Sequence, residues 1–305
     1  MSILKATRVC IVSFFGDVHA ELVGAMLRQK YSANVIQLYA DRCESSVSLS
    51  TGWSSHNADK QFDVIWVRRK NFLNLSDGDI TNVDASINVA QSNFDALHAF
   101  LSHQSDRCIN HPDNALLIEN KAVQLRLAQE AGLRVPPTLI SASYKEIMLF
   151  CESHDEVVVK SMRPLGGNPT GVFDLDEAVL SPTSCRQSYT IFQQKVRGSK
   201  HFRVAVFGQS MFAFEYASNK LDSRFDARSD ARHVDIPPDV INGISEFMDR
   251  AGLKMGVFDF KESLESQWYF LEVNQQGAFA YLDPLANFPL LDAFAQFLIE
   301  QANKK

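Results

Sequence analysis

Apolar and polar positions along the chain alternate between short, strand-length apolar runs and stretches of helical period. RVCIVSFF at 8–15 is an apolar run of strand length, Glu21–Lys30 follows with a helical pattern, and Asn34–Tyr39 predicts a second strand. Residues 42–61 are polar and serine-rich and predict a loop. FDVIWV at Phe62–Val67 predicts another buried strand. Ser86–Leu101 predicts a helix whose apolar stripe holds Val89, Phe94, Leu97 and Leu101. Strand and helix in alternation predict a small parallel α/β unit over 1–108.

Beyond it the pattern becomes more antiparallel. Asn120 is a helix cap for Lys121–Ala131, Gly132 a stop, and Pro136-Pro137 forces extended chain. Ser143–Cys151 predicts a helix, Glu156–Lys160 a strand, and RPLGGNPTG at 163–171 a loop. Tyr189–Val196 predicts a strand, and Phe202–Phe207 with Ser210–Tyr216 a hairpin about Gly208-Gln209. A charged stretch spans 218–235. Pro238–Ala251 predicts a helix with proline in its first turn. Gly256–Phe260 and Trp268–Asn274 predict paired strands, and Asp283–Gln301 a closing amphipathic helix carrying Leu290, Leu291, Phe294, Phe297 and Leu298.

Composition narrows the classes of function. With 305 residues, 46% of them hydrophobic and 22% charged, the chain suits a soluble protein of two or three subdomains. A net charge of −6 argues against general nucleic-acid binding. No run approaches a membrane span, and the short apolar N-terminal run fits a first strand better than a signal peptide. Cys10, Cys43, Cys108, Cys151 and Cys185 are scattered, odd in number and form no CxxC pair. They read as reduced thiols of a cytoplasmic protein.

Candidate chemistry gathers near the C-terminal strands. Asp259 closes GVFDF, while Glu272 and Asn274, two apart in WYFLEVN, share one face of their strand. If these strands pair, three hard oxygen donors converge, suited to Mg²⁺ with phosphate oxygens. An ordinary hairpin with water-facing polar residues is the equal alternative. Lys160 ends the strand VVVK before a loop holding Gly166, Gly167 and Gly171, where backbone amides could approach phosphate. Arg203 lies inside an apolar hairpin strand and needs an anion, either a ligand or an internal carboxylate.

The segments NKAVQLRLAQEAGLRVPPT, VVVKSM with GG, IFQQKV, HFRVAVFGQSMFAFE, GVFDF and FLEVNQQGAF occur in the order seen in ATP-grasp ligases. The resemblance covers roughly 60–285. FDVIWVRR, SNKLDSRFDAR and the EVN-x-x-G ending look most like graspetide synthetases, the microviridin-type enzymes that crosslink ribosomal peptides. Ribosomal-protein glutamate ligases and glutathione synthetases are similar at greater distance. The resemblance implies an α/β (α+β) ATP-grasp fold of three subdomains, 1–108, 109–188 and 189–305, with the nucleotide between two α+β lobes.

It further implies that Lys121 and Lys160 contact ATP phosphates and that Gly166 and Gly167 belong to the loop over them. Gln193, Gln194 and Val196 would form the adenine hinge. Arg203 would bind phosphate, and Asp259, Glu272 and Asn274 would hold Mg²⁺. Asp226 and Arg228 match the family's Asp-x-Arg, with Arg228 approaching an acyl phosphate. Three departures stand out. Gln194 replaces the usual glutamate, His201 replaces an acidic residue, and Gln275-Gln276-Gly277-Ala278 replaces a proline and Gly-Gln, a change expected to alter the substrate side of the site.

The implied activity is activation of an Asp or Glu side chain of a precursor peptide, with leader and core, followed by attack of a Ser or Thr hydroxyl or Lys amine. A homodimer is expected, with no membrane or nucleic-acid partner. Addition of amino acids to a protein tail or small molecule is one alternative; a non-catalytic peptide-binding homologue is another. Asp222, Arg224, Asp226, Arg228, Asp230 and Arg232 share one face if extended, to clamp a peptide or to pair among themselves. Trp66, Arg68 and Arg69, at a strand end, are further candidates for substrate contact.

Overall fold

The computed structural model describes residues 6–41, 62–69, 83–162, 172–175, 180–218 and 231–304. The N-terminal unit contains β1 (Arg8–Ser13), α1 (Val18–Tyr31), β2 (Asn34–Tyr39), β3 (Val64–Val67), α2 (Val83–His103) and β4 (Cys108–Ile109). Its strands form a parallel sheet in the order β2-β1-β3-β4. Such a sheet is covered on both faces, which explains the unbroken apolar runs. Val9 and Ile11 join one core, Cys10 and Val12 another. The Asp17 carboxylate caps α1 by accepting from the His19 and Ala20 N–H groups. In α2, Leu97 and Leu101 are buried as the stripe predicts, whereas Val89 is exposed.

Two helices follow, α3 (Pro112–Ile118) and α4 (Lys121–Glu130), the second capped by Asn120 as expected. Then come β5 (Thr138–Ser141), α5 (Tyr144–Glu152), β6 (Val157–Ser161), β7 (Val172–Asp174), α6 (Pro182–Cys185) and β8 (Thr190–Gln194). The four strands make an antiparallel sheet in the order β5-β8-β6-β7. A division at residue 189 would assign β8 to the C-terminal lobe, yet its hydrogen bonds bind it into this central sheet. The core here is small and built on Ile147, Val157, Cys185 and Phe192.

The C-terminal sheet holds β9 (Lys200–Phe207), β10 (Ser210–Ala217), β11 (Arg232–Val234), β12 (Met255–Glu262) and β13 (Trp268–Asn274), ordered β11-β10-β9-β12-β13 and antiparallel. Gly208, at φ 60°, supplies the left-handed turn between β9 and β10. Helix α7 (Pro238–Ala251) packs on one face through Val240, Ile244 and Phe247, against Val204, Val206, Phe258, Phe260 and Phe270. Ile118, Leu127 and Ala128 join that same core, so α3 and α4 cover the C-terminal sheet rather than the central one.

The chain ends in α8 (Leu282–Ala286) and α9 (Leu290–Asn303), not in one continuous helix from Asp283. Asn287 turns left-handed at φ 47°, and Pro289 cannot continue a helix. Phe294 and Leu298 of α9 share a core with Val9, Trp66, Ala205, Phe207 and Val257, so the first and third sheets are packed as one body. Ring contacts of Phe294 with Trp66 (4.8 Å), Phe207 (4.9 Å) and Phe279 (5.0 Å) mark its centre.

Candidate active site

Period-two alternation along the C-terminal sheet builds the site. On β9, Phe202, Val204 and Val206 face α7, which leaves Arg203 on the opposite face. Asp259 sits directly opposite Arg203 on one side and opposite Glu272 of β13 on the other. Three candidate side chains therefore stand in a row across three adjacent strands. Asp259 does not end its strand; β12 continues to Glu262, with a register shift between Asp259 and Phe260 that accommodates an extra residue on β13. Asn274 lies opposite Val257 at the end of β13.

Arg203 is buried and donates through Nη1 to Asp259 Oδ1 at 3.1 Å and Oδ2 at 3.3 Å. The internal carboxylate considered as its partner is therefore present. Its Nε has no hydrogen-bond partner, and the guanidinium carbon lies 5.9 Å from the Tyr281 ring centroid. Lys121, the first residue of α4, reaches Glu272 with Nζ 3.7 Å from Oε2. Helix α4 is held there by Gln124. Its amide donates to the carbonyls of Ile118 (2.6 Å) and Val273 (3.0 Å), and its oxygen accepts from Val273 N–H (2.9 Å). Among the described residues β13 is the sheet edge, and Gln124 supplies Val273 with a ladder-like pair of bonds there.

Lys160, on β6, donates from Nζ to Gln193 Oε1 at 2.7 Å, and Gln193 Nε2 donates to Thr138 Oγ1 at 2.8 Å. The Gln193 side chain is buried and fixes Lys160 across three strands of the central sheet. Gln194 and Lys195 commit their N–H groups to the carbonyls of Pro137 and Glu156 at 2.9 Å each. A cavity of about 230 Å³ lies beside this segment, with Pro137, Gln194, Lys195, Val196 and Tyr269 among its lining. None of Lys121, Arg203, Asp259, Glu272 or Asn274 lines it. Tyr269 and Glu272 share β13, so the charged row lies about 10 Å farther along the sheet, at about 3.3 Å per residue.

The donor set fits magnesium. Among the described residues no three His, Cys, Asp or Glu side chains group as a metal site. Two facing carboxylates beside an amide oxygen are what Mg²⁺ uses when phosphate and water complete its octahedron. Gly166, Gly167, Asp226 and Arg228, with most of the alternating Asp/Arg stretch, lie outside the described residues. His201, in place of the acidic residue, is buried and stacks on Tyr216 at 5.6 Å.

Of the strand-end candidates Trp66, Arg68 and Arg69, the sequence does not reveal that Arg68 reaches the turn after Asn274. Trp66 is core, fully buried, and Arg69 is exposed. Arg68 is buried, with Nε 3.6 Å from Asp17 Oδ2 and Nη1 donating to the Gln276 carbonyl at 2.7 Å. Burial pushes the Asp17 carboxyl up, but Arg68, the Ser13 hydroxyl and the Ala20 N–H outweigh it and leave the group below the usual range. His19 packs edge-on against Phe279 (4.3 Å) and Trp66 (5.6 Å) with neither ring nitrogen hydrogen-bonded. Burial, then the charge of Arg68, lowers its pKa to about 3. The signal for Gln124 was legible: a polar residue on the stripe shared with Leu127 and Ala128.

No family model matches the sequence, and no curated protein matches it. Solved structures do match in fold. Macrocyclase MdnC bound with precursor peptide MdnA, from Microcystis aeruginosa MRC, superposes with a TM-score of 0.81 at 19% identity, covering 96% of this chain and 100% of its own. The ATP-grasp ligase PsnB complexed with minimal precursor, Mg and ADP gives 0.79 at 19% identity, over 97% of each chain. A RimK domain ATP-grasp protein from Sphaerobacter thermophilus DSM 20745 gives 0.62 at 15% identity, over 96% of this chain and 100% of that one. The fold is that of the ATP-grasp ligases. Among the described residues no helix is long and apolar enough to cross a membrane.

Proposed function

We propose that this ATP-grasp chain is an ATP- and Mg²⁺-dependent ligase that crosslinks a ribosomal precursor peptide. It would activate a side-chain carboxylate of the peptide as an acyl phosphate and condense it with a Ser or Thr hydroxyl or a Lys amine. The row of Arg203, Asp259 and Glu272, with Lys121 beside it, carries this reading. The fold shared with MdnC bound to its precursor peptide and PsnB complexed with a minimal precursor supports a peptide substrate.

The chemistry follows from charge. A carboxylate oxygen attacks the γ-phosphorus and the bond to ADP breaks. The hydroxyl or amine then adds to the carbonyl carbon, phosphate leaves, and the nucleophile's proton goes to solvent or phosphate. Arg203, Lys121 and Lys160 would balance charge on the transferring group. Asp259, Glu272 and Asn274 would hold Mg²⁺, which supplies neutralisation at the phosphate oxygens. Gln193, by holding Lys160, would orient it, and the cavity at Gln194–Val196 would take the purine. Asp226 and Arg228 belong to the same proposal, with Arg228 on the acyl phosphate. Cys10, Cys108, Cys151 and Cys185, which form no disulfide among the described residues, suit a cytoplasmic setting.

The test is the intact mass of a candidate precursor peptide incubated with protein, ATP and Mg²⁺. Loss of about 18 Da, one water per linkage, with equivalent ADP, is expected. A mass gain would replace crosslinking with amino-acid addition, and unchanged mass without ADP would refute the ligase reading.

A further inference from the structure

Asn274 is followed by a tight turn: Gly277 N–H donates to the Asn274 carbonyl at 3.0 Å. The two residues between them, Gln275 and Gln276, each present a carbonyl to a buried side chain of the N-terminal unit. Asn110, just after β4, donates from Nδ2 to the Gln275 carbonyl at 3.3 Å and to the Met255 carbonyl at 2.9 Å. Its Oδ1 accepts from the N–H groups of Lys254 (2.7 Å) and Met255 (2.8 Å). Arg68, just after β3, donates to the Gln276 carbonyl at 2.7 Å and is itself held against Asp17. Both side chains are buried.

We propose that Arg68 and Asn110 are positioning residues that fix the turn after Asn274 and so set the geometry of the Glu272–Asn274 strand end. The inference rests on the reading of that strand end as the Mg²⁺ site. The turn begins with Gln275 and Gln276, and neither side chain fixes its own backbone φ. The two ties compensate by holding consecutive carbonyls from outside. Gln275 adds a third, with Nε2 3.4 Å from Glu119 Oε1. Arg68 is suited to the task because its guanidinium can face a carboxylate and a carbonyl at once, which a lysine ammonium on a flexible stem holds less firmly.

The test is the Mg²⁺ dependence of ADP binding, followed by calorimetry on the full chain, with Arg68→Gln and Arg68→Lys. Partners behind a metal ligand change affinity by about 10–100-fold. Arg68→Gln is expected to raise the half-saturating Mg²⁺ about tenfold, Arg68→Lys by less, while the peptide KM stays within about twofold. Unchanged Mg²⁺ dependence in folded Arg68→Gln would overturn the inference, as would the same result in Arg68→Lys should the glutamine variant not fold. A raised peptide KM with unchanged Mg²⁺ dependence would make Arg68 a substrate contact and overturn it too. Because the binding readout needs no peptide, failure of the crosslinking reading appears separately, as wild-type ADP binding without product.

Discussion

Replacing Gly277 by alanine tests whether the strand end is as tightly set as its contacts imply. A Cβ there would lie 2.5 Å from Val257 Cβ, 2.6 Å from Val257 Cγ2 and 3.0 Å from the Asn274 carbonyl. Ordinary contact begins at 3.4 Å, so the turn and β12 must separate by about 0.9 Å. Val257 is fully buried and lies opposite Asn274, so the displacement falls on the strand end itself. Forcing extra atoms into a packed core costs about 1–3 kcal/mol. Gly277→Ala should therefore unfold at lower urea, by that free energy, and need more Mg²⁺ to bind ADP. Adding Val257→Ala removes the methyl contact but keeps the Cβ contact, so the double variant should regain only a small part. Wild-type stability and wild-type Mg²⁺ dependence in Gly277→Ala would refute the claim that the turn is fixed.

Two further outcomes are expected. Asp259→Asn and Glu272→Gln should abolish ADP formation while circular dichroism stays native; full turnover in both would remove the metal assignment. His19, with its pKa depressed to about 3 by burial, stays neutral in the folded protein as the unfolded chain takes up a proton below pH 6.5. Its contribution is complete above pH 6.5 and falls as pH drops toward 3, by roughly 2 kcal/mol between pH 6.5 and 5. Urea unfolding at both pH values should show that loss reduced in His19→Phe, and an equal slope in both proteins would refute it.

The candidate site was legible where local periodicity carries information. A charge at Arg203 within an apolar strand, and a carboxylate and an amide two apart in another, mark a face of a sheet before any pairing is known. Asp259 against Glu272 followed from pairing two strands across a short polar turn. Arg68 and Asn110 were not legible as ties, because each bonds a backbone group more than 140 positions away. A side chain that satisfies remote backbone leaves no local pattern, only an unexplained polar residue in an apolar setting. The pairing of β8 was hidden for a related reason: it reads as the start of an antiparallel run but hydrogen-bonds back to β5 and β6. The break before α9 was available in the sequence, as Asn287 and Pro289.

The distribution of cores divides the molecule unevenly for unfolding. Sheets one and three share Phe294, Phe207 and Trp66 and are tied by Tyr31 and Lys30 to Asp292 at 2.9 and 2.6 Å. Among the described residues, the central sheet has its own small cluster around Ile147 and Phe192. Local opening follows buried apolar contact, so the amides of β5, β6 and β8 should exchange with solvent through a sub-global event that spares the rest. Denaturation monitored by Trp66, in the shared core, and exchange monitored in β6 would then report two different free energies. The half of the proposed nucleotide site that carries Lys160 belongs to the less cooperative unit, and bound ADP would stabilise that unit first.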